Sequence, residues 1–162
     1  MAVIYYAKGS NEKIAEHFRA KEFDCPCKRC NQTPIDVDFV RNVLEPIRVK
    51  IGEPLYVNAY RCQEHNAEVA NASRTSLHME GRAFDCSARK SGALVIAKEA
   101  EKLGVRGIGY YEKDNFTHLD SRTTKAFWLG HEQAPWDTFI NDADRKHLAF
   151  IEELEALIKK YK

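Results

Sequence analysis

An imidazole and a carboxylate stand seven positions apart on either side of a glycine in Ser76-Leu-His78-Met-Glu-Gly81-Arg-Ala83-Phe-Asp85. Gly81 lets the backbone reverse sharply, so both side chains can converge on one ion, and imidazole and carboxylate are both good zinc ligands. The chain must then leave this turn in extended form, because Arg82-Ala-Phe-Asp-Cys86 reads as a strand. A catalytic zinc takes three protein ligands and keeps a position open for water, so a third ligand has to come from elsewhere.

Around this turn, short elements alternate irregularly with short connections, with no internal repeat, low-complexity block or linker-like run. Asn11–Phe18, following Ser10, reads as a short helix. Thr33-Pro-Ile-Asp36 reads as a helix start, with a capping hydroxyl, proline at the first helical position and an acid three residues after the cap. Val37, Val40, Leu44 and Ile47 continue that helix at helical spacing, with a kink expected near Pro46 and an end before Gly52. Leu55–Tyr60 alternates as a strand, and Glu64–Ala70 reads as a short helix. Gly92–Leu103 is expected as a helix capped by Ser91, closed by Gly104 and packing Leu94, Ala97 and Leu103. Ile108–Tyr111 and Phe116–Asp120 flank the turn residues Glu112-Lys-Asp-Asn115, which predicts a β-hairpin. From Asn141 to Tyr161, Leu148, Ile151, Leu154, Ile158 and Tyr161 share one face, so a helix docked on the core is expected. The mixture implies an α+β fold with a small, mainly antiparallel sheet, and 162 residues are the length of one domain.

Charge and cysteine usage narrow the functional classes. Lys and Arg number 25 against 24 Asp and Glu, a formal net charge of +1. Nucleic-acid and anionic-membrane binders need a strong basic excess, so neither partner is expected. No apolar run approaches the roughly 18–20 residues that cross a bilayer, and Met1-Ala-Val-Ile-Tyr-Tyr-Ala-Lys lacks the basic and apolar regions of a secretory signal. Five cysteines make an odd count for a disulfide framework. Three of them crowd into Cys25-Pro-Cys27-Lys-Arg-Cys30, a spacing suited to a metal–thiolate site whose fourth ligand would be Cys62 or His65; ordinary reduced cysteines or a disulfide are the alternatives. Cys86, next to Asp85 on the strand, alternates to the opposite face and reads as core.

Ser-x-His-x-x-Gly-x-Ala-x-Asp resembles the signature of the zinc D-alanyl-D-alanine carboxypeptidases, whose fold is shared with hedgehog signalling domains and some phage endolysins. The resemblance extends upstream through Tyr60-Arg-Cys-Gln-Glu-His-Asn66. Downstream it takes in Gly107-Ile-Gly-Tyr-Tyr and Phe116-Thr-His118-Leu-Asp120-Ser-Arg122, so that it spans about the middle half to two-thirds of the chain. It implies one hedgehog/DD-peptidase-like domain over residues 1–162, with a helical N-terminal segment and a C-terminal docking helix. It also implies that His78, Asp85 and His118 ligate zinc, that Arg61 holds substrate or the developing oxyanion, and that Ser76 lies near substrate. Many family members carry Glu or Asp three positions before the last histidine, where this chain has Asn115. The general base is then sought at Asp120, two residues after His118 on the same strand face and equally able to serve as a carboxylate behind that histidine, or at Asp114.

The function implied is a zinc metallopeptidase acting on the peptide stems of bacterial peptidoglycan, as a D-Ala-D-Ala carboxypeptidase or an endolysin-type peptidase. A phage- or prophage-type lysis or tail-associated protein is expected, made in the cytoplasm and acting in the periplasm or at the cell wall after assisted release. Its rival is a non-catalytic, zinc-stabilised module that binds a peptide or peptidoglycan through the same cleft. A zinc-ribbon-like nucleic-acid adaptor built on the cysteine cluster is weighed against by the near-neutral charge. Tyr60, Tyr110, Tyr111, Trp128 and Trp136 read as core and rim aromatics, of which one or two would line the cleft. His131 and His147 read as surface residues, and Lys159-Lys160-Tyr-Lys162 as a solvated terminus.

Overall fold

A computed structural model of the chain describes residues 2–130, 134–141 and 153–161. Its largest sheet has six strands, β5 (Tyr56–Asn58), β6 (Ala83–Ser87), β7 (Gly107–Tyr111), β8 (Phe116–Asp120), β9 (Ala126–Leu129) and β10 (Ala134–Pro135), in the spatial order β10-β9-β7-β8-β6-β5. All neighbours are antiparallel except β7 and β9. The expected β7–β8 hairpin therefore sits at the centre of the sheet.

Period-2 alternation splits this sheet into two chemically different faces. Phe84, Cys86, Ile108 and Leu119 point to one side, where they are fully buried with Ile96, Ala97 and Ala100 of α4 (Ala93–Lys102). Asp85, His118, Asp120 and Trp128 occupy alternate positions and so fall on the other face. Cys86 is a core residue, as the alternation beside Asp85 predicts. One face builds the core and the opposite face is left for chemistry.

A helical stretch runs from α1 (Val37–Phe39) through a π-helical turn (Val40–Leu44) into α2 (Glu45–Ile51). Val37, Val40, Leu44 and Ile47 are all buried, as their spacing predicts. The kink expected near Pro46 takes the form of the π turn just before it, since proline brings no N–H and its ring crowds the preceding turn. Gly52 closes α2 in the left-handed conformation at φ 68°. Phe39 stacks on Phe84 at 5.0 Å, and Phe23 meets Phe84 edge-on at 5.8 Å, tying this helical layer to β6.

Several local expectations are corrected. Asn11–Phe18 is no helix: it contributes β2 (Lys13–Ala15) and β3 (Phe18–Arg19), a small hairpin that buries Ile14 and Phe18. A helix of that length is marginal by itself, and two buried side chains with cross-strand bonds outweigh its propensity. Thr33-Pro-Ile-Asp36 lies in β4 (Gln32–Asp36), paired with β1 (Val3–Ala7), and the helix starts one turn later with Asp36 as its cap, accepting from the Phe39 N–H at 3.2 Å. Thr33 is buried and donates its hydroxyl to Asp24. Gly92, not Ser91, caps α4, because the Ser91 N–H and hydroxyl are both bonded to Glu53 at 2.8 Å. Leu103 is exposed, and the buried residues of α4 are Ala93, Ile96, Ala97 and Ala100. Leu148, Ile151, His131 and His147 lie outside the described residues. Residues 153–161 are helical, and Leu154, Ile158 and Tyr161 are exposed there.

Candidate metal centre

Strand register alone brings two of the sequence-predicted residues together. Asp85 on β6 is the direct cross-strand partner of His118 on β8, and His118 Nδ1 lies 3.0 Å from Asp85 Oδ1. His78 joins them from a 3-10 turn, Leu77–Glu80, which Ser76 caps by accepting the His78 N–H at 3.3 Å. This turn closes at Gly81 with φ 72°, where a Cβ would overlap the Pro34 carbonyl, so the motif glycine is required by both conformation and space. His78 Nε2 then stands 3.4 Å from the same Asp85 oxygen.

The spacing and tautomers fit a cation. One ligand atom from each of His78, Asp85 and His118 lies within 4.8 Å of the others. Two ligands each about 2.1 Å from a tetrahedral zinc are about 3.4 Å apart, close to the separations seen. His78 Nδ1 is 2.7 Å from the Ala59 carbonyl and donates to it, which turns the Nε2 lone pair toward Asp85. His118 Nε2 is 2.8 Å from Asp120 Oδ2 and donates to that carboxylate, which frees Nδ1 to face inward. Imidazoles oriented by a carbonyl and a carboxylate behind them are the usual arrangement at a metal site.

Asp120 is fully enclosed. Arg122 grips it through Nε to Oδ1 at 2.7 Å and a terminal N–H to Oδ2 at 2.6 Å, and the Arg122 backbone N–H adds a third bond at 3.1 Å. Its side chain is packed over Gly107, where a Cβ would collide with the carboxylate. Gly109 plays the same part for Trp128, whose indole would overlap a Cβ there. Trp128 packs 5.2 Å from the His118 ring, carries the Arg122 guanidinium at 5.1 Å, and donates its N–H to the Tyr111 hydroxyl at 3.0 Å.

These groups line an open cleft of about 1270 Å³, with Arg61, Ser76, Asp85, Tyr111, Arg122 and Trp128 on its walls and floor. Arg61 is half-buried: a terminal N–H donates to the Ser76 hydroxyl at 3.3 Å, while its buried Nε–H has no partner. Its backbone N–H donates to the His78 carbonyl at 3.2 Å, coupling it to the histidine turn.

Burial disfavours charge on Asp85, His118 and Asp120, but their mutual hydrogen bonds outweigh it. Asp85 is held well below the ordinary carboxylate range by His118 and His78, and Asp120 by His118 and Arg122. The same bonds, Asp120 first and then Asp85, lift His118 to about 9. Burial lowers the Arg61 guanidinium.

The structure gathers His78, Asp85, His118, Asp120, Arg61 and Ser76 at one site and leaves Asp114 out. Asp114 lies exposed in the β7–β8 turn and does not line the cleft. Asp120, although at the site, has both oxygens engaged by His118 and Arg122, which suits a carboxylate that orients the histidine rather than one that receives a proton from the cleft. Asn115 adopts φ 50°, and its side-chain oxygen accepts the Ala93 N–H at 3.1 Å at the start of α4, so this position serves the fold. Tyr111 and Trp128 line the cleft, whereas Tyr110 and Trp136 pack around Phe139. The resemblance takes in Gly107, Gly109 and Arg122 without giving them a role; the alternation Gly107-Ile-Gly109, paired with Asp120 and His118, is the signal that marks the glycines. In the cysteine cluster Cys62, not His65, joins Cys25, Cys27 and Cys30.

A His–Asp–His group with one ring nitrogen of each imidazole turned inward, set in the floor of a cleft, has the makings of a metal-dependent hydrolase centre. Residues 16–120, well over half of the chain, match the family model described as Peptidase M15, and the chain belongs to that family. The match includes all six residues gathered at the site and agrees with the resemblance carried by Ser76–Asp85. The chain is also similar to a Haemophilus influenzae protein named probable peptidoglycan L,D-endopeptidase MepK, at 28% identity over 93 residues. That alignment takes in 55% of this chain and 50% of the relative, so the chain spans about half the length of the curated relative it matches.

Proposed function

We propose that this chain is a zinc metallopeptidase that cleaves the peptide stems of bacterial peptidoglycan. The observation that carries the reading is the convergence of His78 Nε2, Asp85 Oδ1 and His118 Nδ1 in the floor of an open cleft, with an unpartnered Arg61 Nε–H on its wall. Membership of the M15 peptidases supports hydrolysis, and the name of the Haemophilus relative supports peptidoglycan as substrate. The fold proposed is the hedgehog/DD-peptidase one, as a single domain. Because peptidoglycan lies outside the cytoplasmic membrane, the reading includes release assisted by another protein, in a phage- or prophage-type lysis or tail-associated role.

His78, Asp85 and His118 would hold the metal. Zinc bound there would acidify a water toward a pKa of about 7 and polarise the scissile carbonyl. Asp120 keeps His118 in the tautomer that presents Nδ1, and Arg122 keeps Asp120 ionised and in place. Arg61 offers its free N–H to negative charge developing on the carbonyl oxygen, or to a stem carboxylate, and Ser76 steadies the guanidinium. The cleft is open, which favours an internal stem bond over a terminal D-Ala-D-Ala bond and accords with the endopeptidase name of the relative.

One observation favours a second reading. Asp85 and Asp120 are the only carboxylates lining the cleft among the described residues; the first is a ligand and the second is fully engaged. A zinc-stabilised module that binds stem peptides without hydrolysis would have this appearance. Incubation with purified peptidoglycan and defined stem peptides, followed by mass spectrometry of the soluble products, separates the two. Zinc-dependent fragments whose masses identify one bond are expected; intact peptides that are nevertheless retained by the protein would favour the binding module.

A further inference from the structure

Away from the cleft floor, four of the five cysteines meet. Cys25, Cys27 and Cys30 come from the loop after the 3-10 turn Ala20–Phe23, and Cys62 caps α3 (Gln63–Glu68). Their sulfurs all lie within 4.8 Å of one another, with Cys27–Cys30 at 3.3 Å, Cys27–Cys62 at 3.5 Å and Cys25–Cys62 at 3.8 Å. Two thiolates on a tetrahedral zinc at about 2.3 Å stand about 3.8 Å apart, whereas bonded disulfide sulfurs are about 2.05 Å apart. Cys27 and Cys30 taken alone would also suit a redox pair. Cys25 and Cys62, buried against the same two sulfurs, complete four corners instead.

The surroundings suit bound thiolates. Cys25 Sγ accepts the Cys62 N–H at 3.5 Å, and Cys62 Sγ accepts the His65 N–H at 3.4 Å. The Lys8 ammonium is 3.7 Å from Cys30 Sγ and 3.9 Å from Cys27 Sγ, and donates to the Cys27 carbonyl as well. Four thiols that each give up a proton to hold a dication leave two net negative charges, and Lys8 with these amide dipoles offsets them.

We propose that Cys25, Cys27, Cys30 and Cys62 form a closed, structural zinc site that fixes Arg61 against the cleft. All four corners are protein sulfur, so no position is left for water and the site takes no part in chemistry. Cys62 follows Arg61 directly. The Tyr60 N–H donates to the Phe23 carbonyl at 3.0 Å, and the Arg61 N–H to the His78 carbonyl, so Tyr60-Arg61-Cys62 is stitched between the cysteine loop and the histidine turn. The cysteine site stands independently of the peptidase reading; only its value to Arg61 rests on that reading.

The test uses the full chain carrying His118→Ala, which disables the cleft site and leaves the cysteines untouched. Zinc content of about two ions per chain in the unmodified protein and about one in His118→Ala is expected, with zinc-edge X-ray absorption of the variant showing a shell of sulfur neighbours alone at about 2.3 Å. Cobalt-loaded His118→Ala should show an intense near-ultraviolet thiolate-to-cobalt band, and adding Cys27→Ser and Cys30→Ser should abolish it. A folded His118→Ala protein that holds no metal, that binds it through nitrogen and oxygen, or whose cysteines pair as disulfides with loss of two hydrogens per bond, would overturn the proposal. None of these readouts depends on peptide hydrolysis.

Discussion

The Nε2–H of His118 donates to Asp120 Oδ2 at 2.8 Å, and the two residues share one face of β8 because they are two positions apart. This bond holds the His118 ring so that Nδ1 faces Asp85, and so sets how well the site can bind a metal. Asp120→Asn keeps the shape but removes the charge that orients the imidazole and pairs with Arg122. Zinc affinity at the cleft is expected to fall by about 10–100-fold, with the fold retained, as carboxylates behind metal-bound histidines generally behave. Competition with a chromophoric chelator measures it, and unchanged affinity would remove Asp120 from the site's design.

Arg61→Ala should leave cleft zinc in place and lower kcat/KM on a stem peptide by about 100-fold or more, the usual cost of one donor to a developing oxyanion. A loss mainly in kcat assigns Arg61 to the carbonyl oxygen, and a loss mainly in KM assigns it to a substrate carboxylate. Full activity in a folded Arg61→Ala protein would contradict both roles.

Gly107→Ala tests the space under Asp120. The added methyl would meet a carboxylate pinned by Arg122 on one side and His118 on the other, so Asp120 cannot swing away cheaply. A stability loss of about 1–3 kcal/mol is expected, as for other overpacked positions, with weaker cleft metal binding beside it. Urea unfolding of the two proteins gives the difference.

The pH dependence of the metal-stripped protein follows from the same bonds. His118 titrates near 9 in the fold, above its unfolded value of about 6.5, so its contribution to stability is complete below about pH 6.5 and is lost as pH rises through 9. Asp85 and Asp120 are held below the usual range, so theirs is present above about pH 4 and lost on acidification. Metal-stripped protein should therefore melt lower at pH 9 than at pH 6, by about 2–4 °C for each kcal/mol lost. His118→Gln should lack this part of the slope, and a variant with the same slope would contradict the assignment.

Much of the site was legible through the resemblance carried by Ser76–Asp85 and Phe116–Arg122, which supplied His78, Asp85 and His118 together. Strand alternation, a local property, added that Asp120 shares a face with His118 and that Cys86 lies opposite Asp85, and the structure pairs Asp85 with His118. What escaped depended on tertiary partners. Ile14 and Phe18 fold a hairpin where the local pattern favoured a helix, and β1 draws Thr33–Asp36 into a strand in spite of its cap-like composition. Asn115 departs from the family's usual acid, yet it is occupied in holding the start of α4, which no spacing argument reveals. Likewise the choice of Cys62 over His65 is made by the fold, which brings the sulfur of the residue capping α3 to the cysteine loop.

The central claim is that His78, Asp85 and His118 hold a zinc ion that makes this chain a stem peptidase. Its most direct test is hydrolysis of purified peptidoglycan by chelator-stripped protein as zinc is added back, run in parallel on His118→Ala. The account predicts that soluble stem fragments return with zinc in the unmodified chain and never appear with His118→Ala. Fragments formed equally by both proteins, or by stripped protein without zinc, would contradict it.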